Sequence, residues 1–297
     1  MPRVTVIIPT FNYAEVLPFS IDSVLRQTFT DFELLVIGDH CTDASESVVR
    51  AIGDPRVRWI NLEKNVGHQS GPNNEGIKQA RGDIIAYLGH DDLWLPIHLE
   101  HLLKTIDAGA DLTYGLTEVV DAEDQPPVCF PLELDYVAGM WIPPTGVMHR
   151  REAVVQAGGW RHFCDVEGMD PETELWLRLH RAGKTIRLTR RLTAVKISAL
   201  KREGVYARRP THEQLAWSQR IQNEPDFAAV ELARMLRPMY DENLSFVEAA
   251  KKFGNQTLLR FRRRFWRFGL YAPPKKQTRG EYYAERLRFK GVDTRRF

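Results

Sequence analysis

The sequence predicts an α/β protein with a doubly wound, mostly parallel sheet and a helical, basic C-terminal extension. Three observations carry that expectation: short apolar runs that end in polar loops, a helical period after each run, and a change of pattern and charge after Gly204.

Val4 to Pro9 reads as a strand buried on both faces, and Thr10-Phe11-Asn12 ends it and opens a helix carrying Val16, Leu17, Ile21, Val24 and Leu25. Phe32 to Ile37 repeats the unit, with capping residues in Asp39-His40-Cys41-Thr42-Asp43 and a helix through Val48, Val49 and Ile52. Val57 to Leu62 is the third strand, a helix follows near Asn73 to Ala80, and Asp83 to Leu88 is the fourth strand, ending in Gly89-His90-Asp91-Asp92. Such sheets bind ligands at the carboxyl ends of their strands, so the loops at 10–12, 39–43 and 89–92 should converge.

Beyond this frame, Pro96 suits the first turn of a helix with Leu99, Leu102, Leu103 and Ile106, and Leu112 to Val120 reads as a strand. A strand from Pro143 to Met148, a helix around Glu152 to Gln156, a Gly158-Gly159-Trp160 turn and a helix from Glu172 to Arg181 should complete the pocket. The division expected is a body of residues 1–204 and an extension of residues 205–297, with helical segments near 211–222, 227–237, 244–253 and 256–268.

With 297 residues and 43% hydrophobic content, the chain can bury a full core. Cys41, Cys129 and Cys164 are odd in number and widely spaced, which argues against a disulfide framework or zinc cluster and for a reducing, cytoplasmic setting. No apolar run approaches the roughly 18 residues that a membrane span needs. The net charge of +2 hides an asymmetry: 21 basic and 29 acidic residues up to Gly204, then 20 basic and 10 acidic. Within the basic part, Leu258 to Phe268 mixes Phe and Trp with Arg, as interfacial helices do, so an anionic membrane surface at the inner face is one partner; packing on the body or in a homodimer is another. No nucleic-acid reading motif accompanies the charge.

Asp91-Asp92, at the end of a buried strand, offers carboxylate oxygens to a hard cation such as Mg²⁺ or Mn²⁺ bridging a diphosphate, while Asp92 suits a helix cap equally well. Together with Val4 to Asn12, Val36 to Asp43 and Tyr87 to Pro96, in that order and spacing, this stretch resembles the family 2 glycosyltransferases of the GT-A fold. Arg81-Gly82-Asp83, Gly158-Gly159-Trp160 and Glu174 to Leu179 extend the resemblance to about two-thirds of the chain.

The resemblance implies an inverting, metal-dependent transfer of a hexosyl or N-acetylhexosaminyl group from a UDP-, dTDP- or GDP-sugar to a glycan or lipid-linked acceptor, in bacterial surface polysaccharide synthesis. Pro9, Thr10, Phe11 and Asn12 would line the nucleotide, and Asp39 would accept a hydrogen bond from the base, a role that suits a carboxylate facing an imide N–H. In the metal motif Asp-X-Asp, Gly89 stands at the first acid and Asp91 at the second, with His90 between them as a polar contact to the donor. Asn73 stands where the family often has a donor-binding arginine. The base that takes the acceptor's proton falls on Glu172, with Asp170 as its neighbour and alternative. The same residues read as a helix start, with Asp170 as cap and Pro171 at the first position. Lys196 and Arg150 are unranked candidates for phosphate or acceptor contact. Gly38-Asp39 stands where the family often has two adjacent aspartates, and the departures at Gly89, Asn73 and Gly38 also admit a nucleotide-sugar-binding protein without turnover.

Overall fold

The computed structural model describes residues 1–120, 128–131, 133, 135–198 and 211–240. The helices expected at 244–253 and 256–268, with the Leu258 to Phe268 cluster, lie outside the described residues.

Strands β1 (Val4–Thr10), β2 (Phe32–Gly38), β3 (Val57–Asn61) and β4 (Ile84–Tyr87) alternate with helices α1 (Leu17–Leu25), α2 (Ser45–Ala51) and α3 (Ser70–Gln79). They pair parallel in the order β3-β2-β1-β4, as helical crossovers between strands require. The chain continues through β5 (Leu93–Trp94), α4 (His98–Asp107), β6 (Leu112–Val120), β7 (Val128–Phe130), β8 (Val147–Arg150), α5 (Arg151–Gln156), α6 (Pro171–Arg181) and β9 (Ile186–Ile197), then α7 (His212–Asn223) and α8 (Phe227–Tyr240). The same sheet runs on from β4 through β8, β6, β9 and β5, with β7 on β6.

The added half is mixed. β8 lies antiparallel between β4 and β6 and is entered through a 3-10 turn at Pro144–Gly146. That turn replaces the first part of the strand expected from Pro143. The short strands β5 and β7 escape the sequence pattern, being two and three residues long. Helix α1 opens at Leu17 rather than directly after Asn12, and α4 opens at His98, leaving Pro96 outside it.

Burial on both faces of β1 follows from its uniform run: Val4, Val6 and Ile8 pack with α1 and α4, whereas Ile7 faces α3 and the layer of Leu175, Trp176 and Leu179 on α6. Helix α4 commits Leu99, Leu102, Leu103 and Ile106 to the first layer, the i, i+3, i+4, i+7 stripe of an amphipathic helix, each worth about 1.5–3 kcal/mol of burial. At the far edge, Leu95, Val120, Leu192, Val195 and Ile197 receive Phe227, with Trp217, Ile221 and Leu232 packed against them, so α7 and α8 are seated on the sheet.

Polar ties fix the loops. Buried Glu33 accepts hydrogen bonds from Thr5 Oγ1 and from both the backbone and side chain of Arg81, which explains the Arg81-Gly82-Asp83 stretch as a lock on the amino end of the sheet. The Gly158-Gly159-Trp160 turn is held by Asn74, which bonds both Trp160 N and Trp160 O at 2.9 Å. Gly159 has φ 71°, and a Cβ there would stand 2.8 Å from Asn74 Oδ1, so the turn admits only glycine.

Candidate active site

Thr10 and Gly38 are partners in the β1–β2 register, so Asp39 emerges beside Thr10 and donates its N–H to Thr10 O at 2.8 Å. Asn12 sits in the left-handed region at φ 49°, which asparagine tolerates, and stitches the first loop to the second: its Oδ1 accepts from Thr42 N at 2.8 Å and its N–H donates to Cys41 Sγ. Pro9, Phe11 and Asn12 are partly exposed at this rim, with Thr10 buried between them. His90 comes from the third loop: its Nδ1 is 3.2 Å from Thr10 Oγ1 and its ring packs on Tyr13. The three predicted loops therefore do converge.

The Asp39 carboxylate accepts the N–H of Val66 at Oδ1 (2.7 Å) and of Gly67 at Oδ2 (2.9 Å). It organises the 65–67 turn and retains acceptor capacity, since each oxygen carries two lone pairs. Burial raises its pKa, and the two backbone N–H groups oppose that shift. Asn73 stands differently: it is fully buried on the first turn of α3, and neither amide atom has a protein partner. The structure does not bring it to the pocket surface.

At the end of β4 the two aspartates separate in role. Asp92 is completely buried, accepts from Ile197 N at 3.0 Å, from Lys196 Nζ at 3.1 Å and from Thr145 Oγ1, and caps no helix. Burial pushes its carboxyl pKa up while Lys196 pulls it down, with a net rise. A Cβ on Gly89 would lie 2.5 Å from Asp92 Oδ2 and 3.3 Å from Asp91 Oδ1. The inward turn of Asp92 thus occupies the space that an acid at position 89 would need.

Among the described residues, no group of three or more His, Cys, Asp or Glu side chains converges to hold a cation. Asp92 is committed to Lys196, and Asp91 stands at the second acid of the metal motif. Mg²⁺ keeps several waters and is commonly held by one or two carboxylates plus substrate phosphates, so Asp91 fits a cation that arrives with a diphosphate.

Across the pocket, Glu172 lies in the first turn of α6. Trp141 Nε1 donates to Glu172 Oε1 at 3.2 Å and Gln69 Nε2 reaches Oε2 at 3.5 Å. Burial and the neighbouring Asp170 raise its pKa, so it binds a proton more readily than an ordinary glutamate. Asp170 holds the N-cap position by backbone, with its carbonyl accepting Glu174 N–H, but its side chain makes no capping bond. Lys196 links the two sides. Burial disfavours its charge, but attraction to Asp92, Asp91 and Glu172 outweighs that cost and raises its pKa.

The sequence offered Lys196 only as an unranked candidate for phosphate or acceptor contact, without its partner Asp92; Thr145, Trp141 and Gln69 carried no signal, since each lies in a loop or turn. Arg150 is structural: its guanidinium donates to Ile106 O near the end of α4.

The family model for glycosyl transferase family 2 matches residues 5–127. The succinoglycan biosynthesis protein ExoO of Rhizobium meliloti is 37% identical over 124 residues, which cover 41% of this chain and 35% of that one. The poly(ribitol-phosphate) β-N-acetylglucosaminyltransferase TarP of Staphylococcus aureus is 42% identical over 105 residues, 34% of this chain and 32% of that one. The chain thus spans about a third of the length of these relatives. The crystal structure of S. aureus TarS 1-349 in complex with UDP-GlcNAc shares the fold at a TM-score of 0.57 and 18% identity, covering 80% of this chain and 73% of that one.

Proposed function

We propose, on the match of residues 5–127 to the model of glycosyl transferase family 2, that the protein is an inverting glycosyltransferase. It moves a hexosyl or N-acetylhexosaminyl group from a nucleoside diphosphate sugar to a hydroxyl of a glycan or lipid-linked acceptor in bacterial surface polysaccharide synthesis. UDP-GlcNAc is the first donor to try, given the transfer named for TarP and the ligand of the TarS crystal.

The observation that carries this reading is the pairing of opposed carboxylates in one pocket: Asp91 and Asp92 from the end of β4, Glu172 from the start of α6, and Lys196 attracted to all three. Glu172, raised in pKa, removes the proton from the acceptor hydroxyl, with Asp170 as the neighbouring candidate for that role. Pro9, Thr10, Phe11, Asn12 and His90 line the donor, and Asp39 accepts from the base edge. A divalent cation at Asp91 would supply charge stabilisation to the departing diphosphate. Among the described residues, the single charge of Lys196 does not balance Asp91, Asp92 and Glu172, which favours an added positive charge for a dianionic diphosphate.

Isothermal titration with UDP, GDP, dTDP and CDP, each with and without Mn²⁺, tests the donor site without an acceptor. A manganese-dependent preference for one nucleotide is expected; binding to none of them refutes the reading.

A further inference from the structure

We propose that Trp141 and Gln69 are positioning residues that clamp the two oxygens of Glu172 and thereby decide which of them receives the acceptor's proton. The inference rests on Glu172 being the base.

The chemistry follows from the partners. An indole N–H donates and cannot accept. Trp141, 3.2 Å from Oε1, therefore favours an unprotonated Oε1 and leaves the proton to Oε2, where the Gln69 contact is longer at 3.5 Å. Gln69 can also present its amide oxygen to a protonated Oε2, which the indole cannot do at Oε1. In the transfer, the acceptor O–H bond breaks and its proton goes to Oε2. The acceptor oxygen bonds the anomeric carbon, and the bond from that carbon to the diphosphate oxygen breaks, the electron pair leaving with the diphosphate.

The clamp is itself held. The Trp141 ring meets Phe130 of β7 edge to face, centroids 5.3 Å apart, which fixes the indole plane. Gln69 lies two residues beyond the Val66–Gly67 pair whose N–H groups bond Asp39. The group assigned to the nucleobase and the group assigned to the acceptor's proton are thus joined by one short loop, so a displacement of the 65–67 turn is carried to Gln69.

The contact has a direct readout. In protein labelled with ¹⁵N at its seven tryptophans, the indole N–H resonance lost in Trp141→Phe identifies Trp141. In the wild type that resonance shifts with pH as Glu172 titrates, and in Glu172→Gln the inflection disappears. Turnover is read as UDP released from UDP-GlcNAc with Mn²⁺. Trp141→Phe lowers kcat about tenfold, the order expected for losing a hydrogen bond to a charged group, leaves the donor KM unchanged and moves the acid limb of the profile to higher pH. The sign follows because the lost N–H had favoured the carboxylate. A Trp141 resonance that does not titrate, or a Trp141→Phe profile that coincides with wild type while Glu172→Gln is inactive, overturns the proposal alone. Full turnover in Glu172→Gln removes both the proposal and the base assignment beneath it.

Discussion

Lys196 on the last strand of the body and Asp92 at the end of β4 form an ion pair at 3.1 Å in which the carboxylate is fully buried and the lysine side chain keeps 26% exposure. Two residues 104 positions apart thus fix one wall of the pocket, and Thr145 and the backbone of Ile197 complete the satisfaction of the acid.

Removing the lysine strands a buried charge. Lys196→Met is expected to destabilise the fold by about 3 kcal/mol, at the low end of the range for broken buried pairs because the lysine is partly exposed. Asp92→Asn in the same chain should recover most of the loss. The deficit should shrink as pH falls, since Asp92 already has a raised pKa and protonation removes the unpaired charge. Urea unfolding across pH checks both statements.

Asp91→Ala should leave the fold intact and weaken manganese-linked UDP binding by at least about tenfold, equivalent to roughly 1.4 kcal/mol. Calorimetric titration of the variant, with circular dichroism as the control for folding, decides the point. Unchanged affinity would move the cation site elsewhere.

Restoring an acid at position 89 should harm the protein. Gly89→Asp places a Cβ 2.5 Å from Asp92 Oδ2 and a third carboxylate beside two others, at a cost of about 1–3 kcal/mol from overpacking. Gly89→Asp combined with Asp92→Gly should regain stability, since the new acid then has the vacated space and Lys196 as partner. Thermal denaturation of the single and double variants gives the comparison.

For the pH profile, burial and Asp170 both raise Glu172, so turnover should fall on acidification at a pH above the value of about 4.3 for an unperturbed glutamate. Asp170→Asn removes a like charge, lowers the pKa of Glu172 and should shift that limb to lower pH. An unshifted limb would mean that another group titrates.

The Arg-Phe-Trp cluster from Leu258 to Phe268 should bring the full chain to anionic vesicles at low salt, with release as salt is raised. Flotation with phosphatidylserine and with phosphatidylcholine vesicles separates electrostatic attachment from none.

The sequence by itself determined the parallel half of the sheet and its three convergent loops. Uniform apolar runs such as Val4 to Ile8 can satisfy both faces only inside a layered sheet, and the polar residues that end them have one end at which to gather. It also placed Glu172 at a helix start, because Pro171 and the acids of the first turn mark one locally. Tertiary structure alone decided that Asp92 turns inward to Lys196 rather than capping a helix, that Asn73 is buried out of reach of the pocket surface, and that Trp141 and Gln69 meet Glu172. These are contacts between side chains 31 to 104 positions apart, set by how the loops pack once the sheet has formed, and no local period or spacing encodes them.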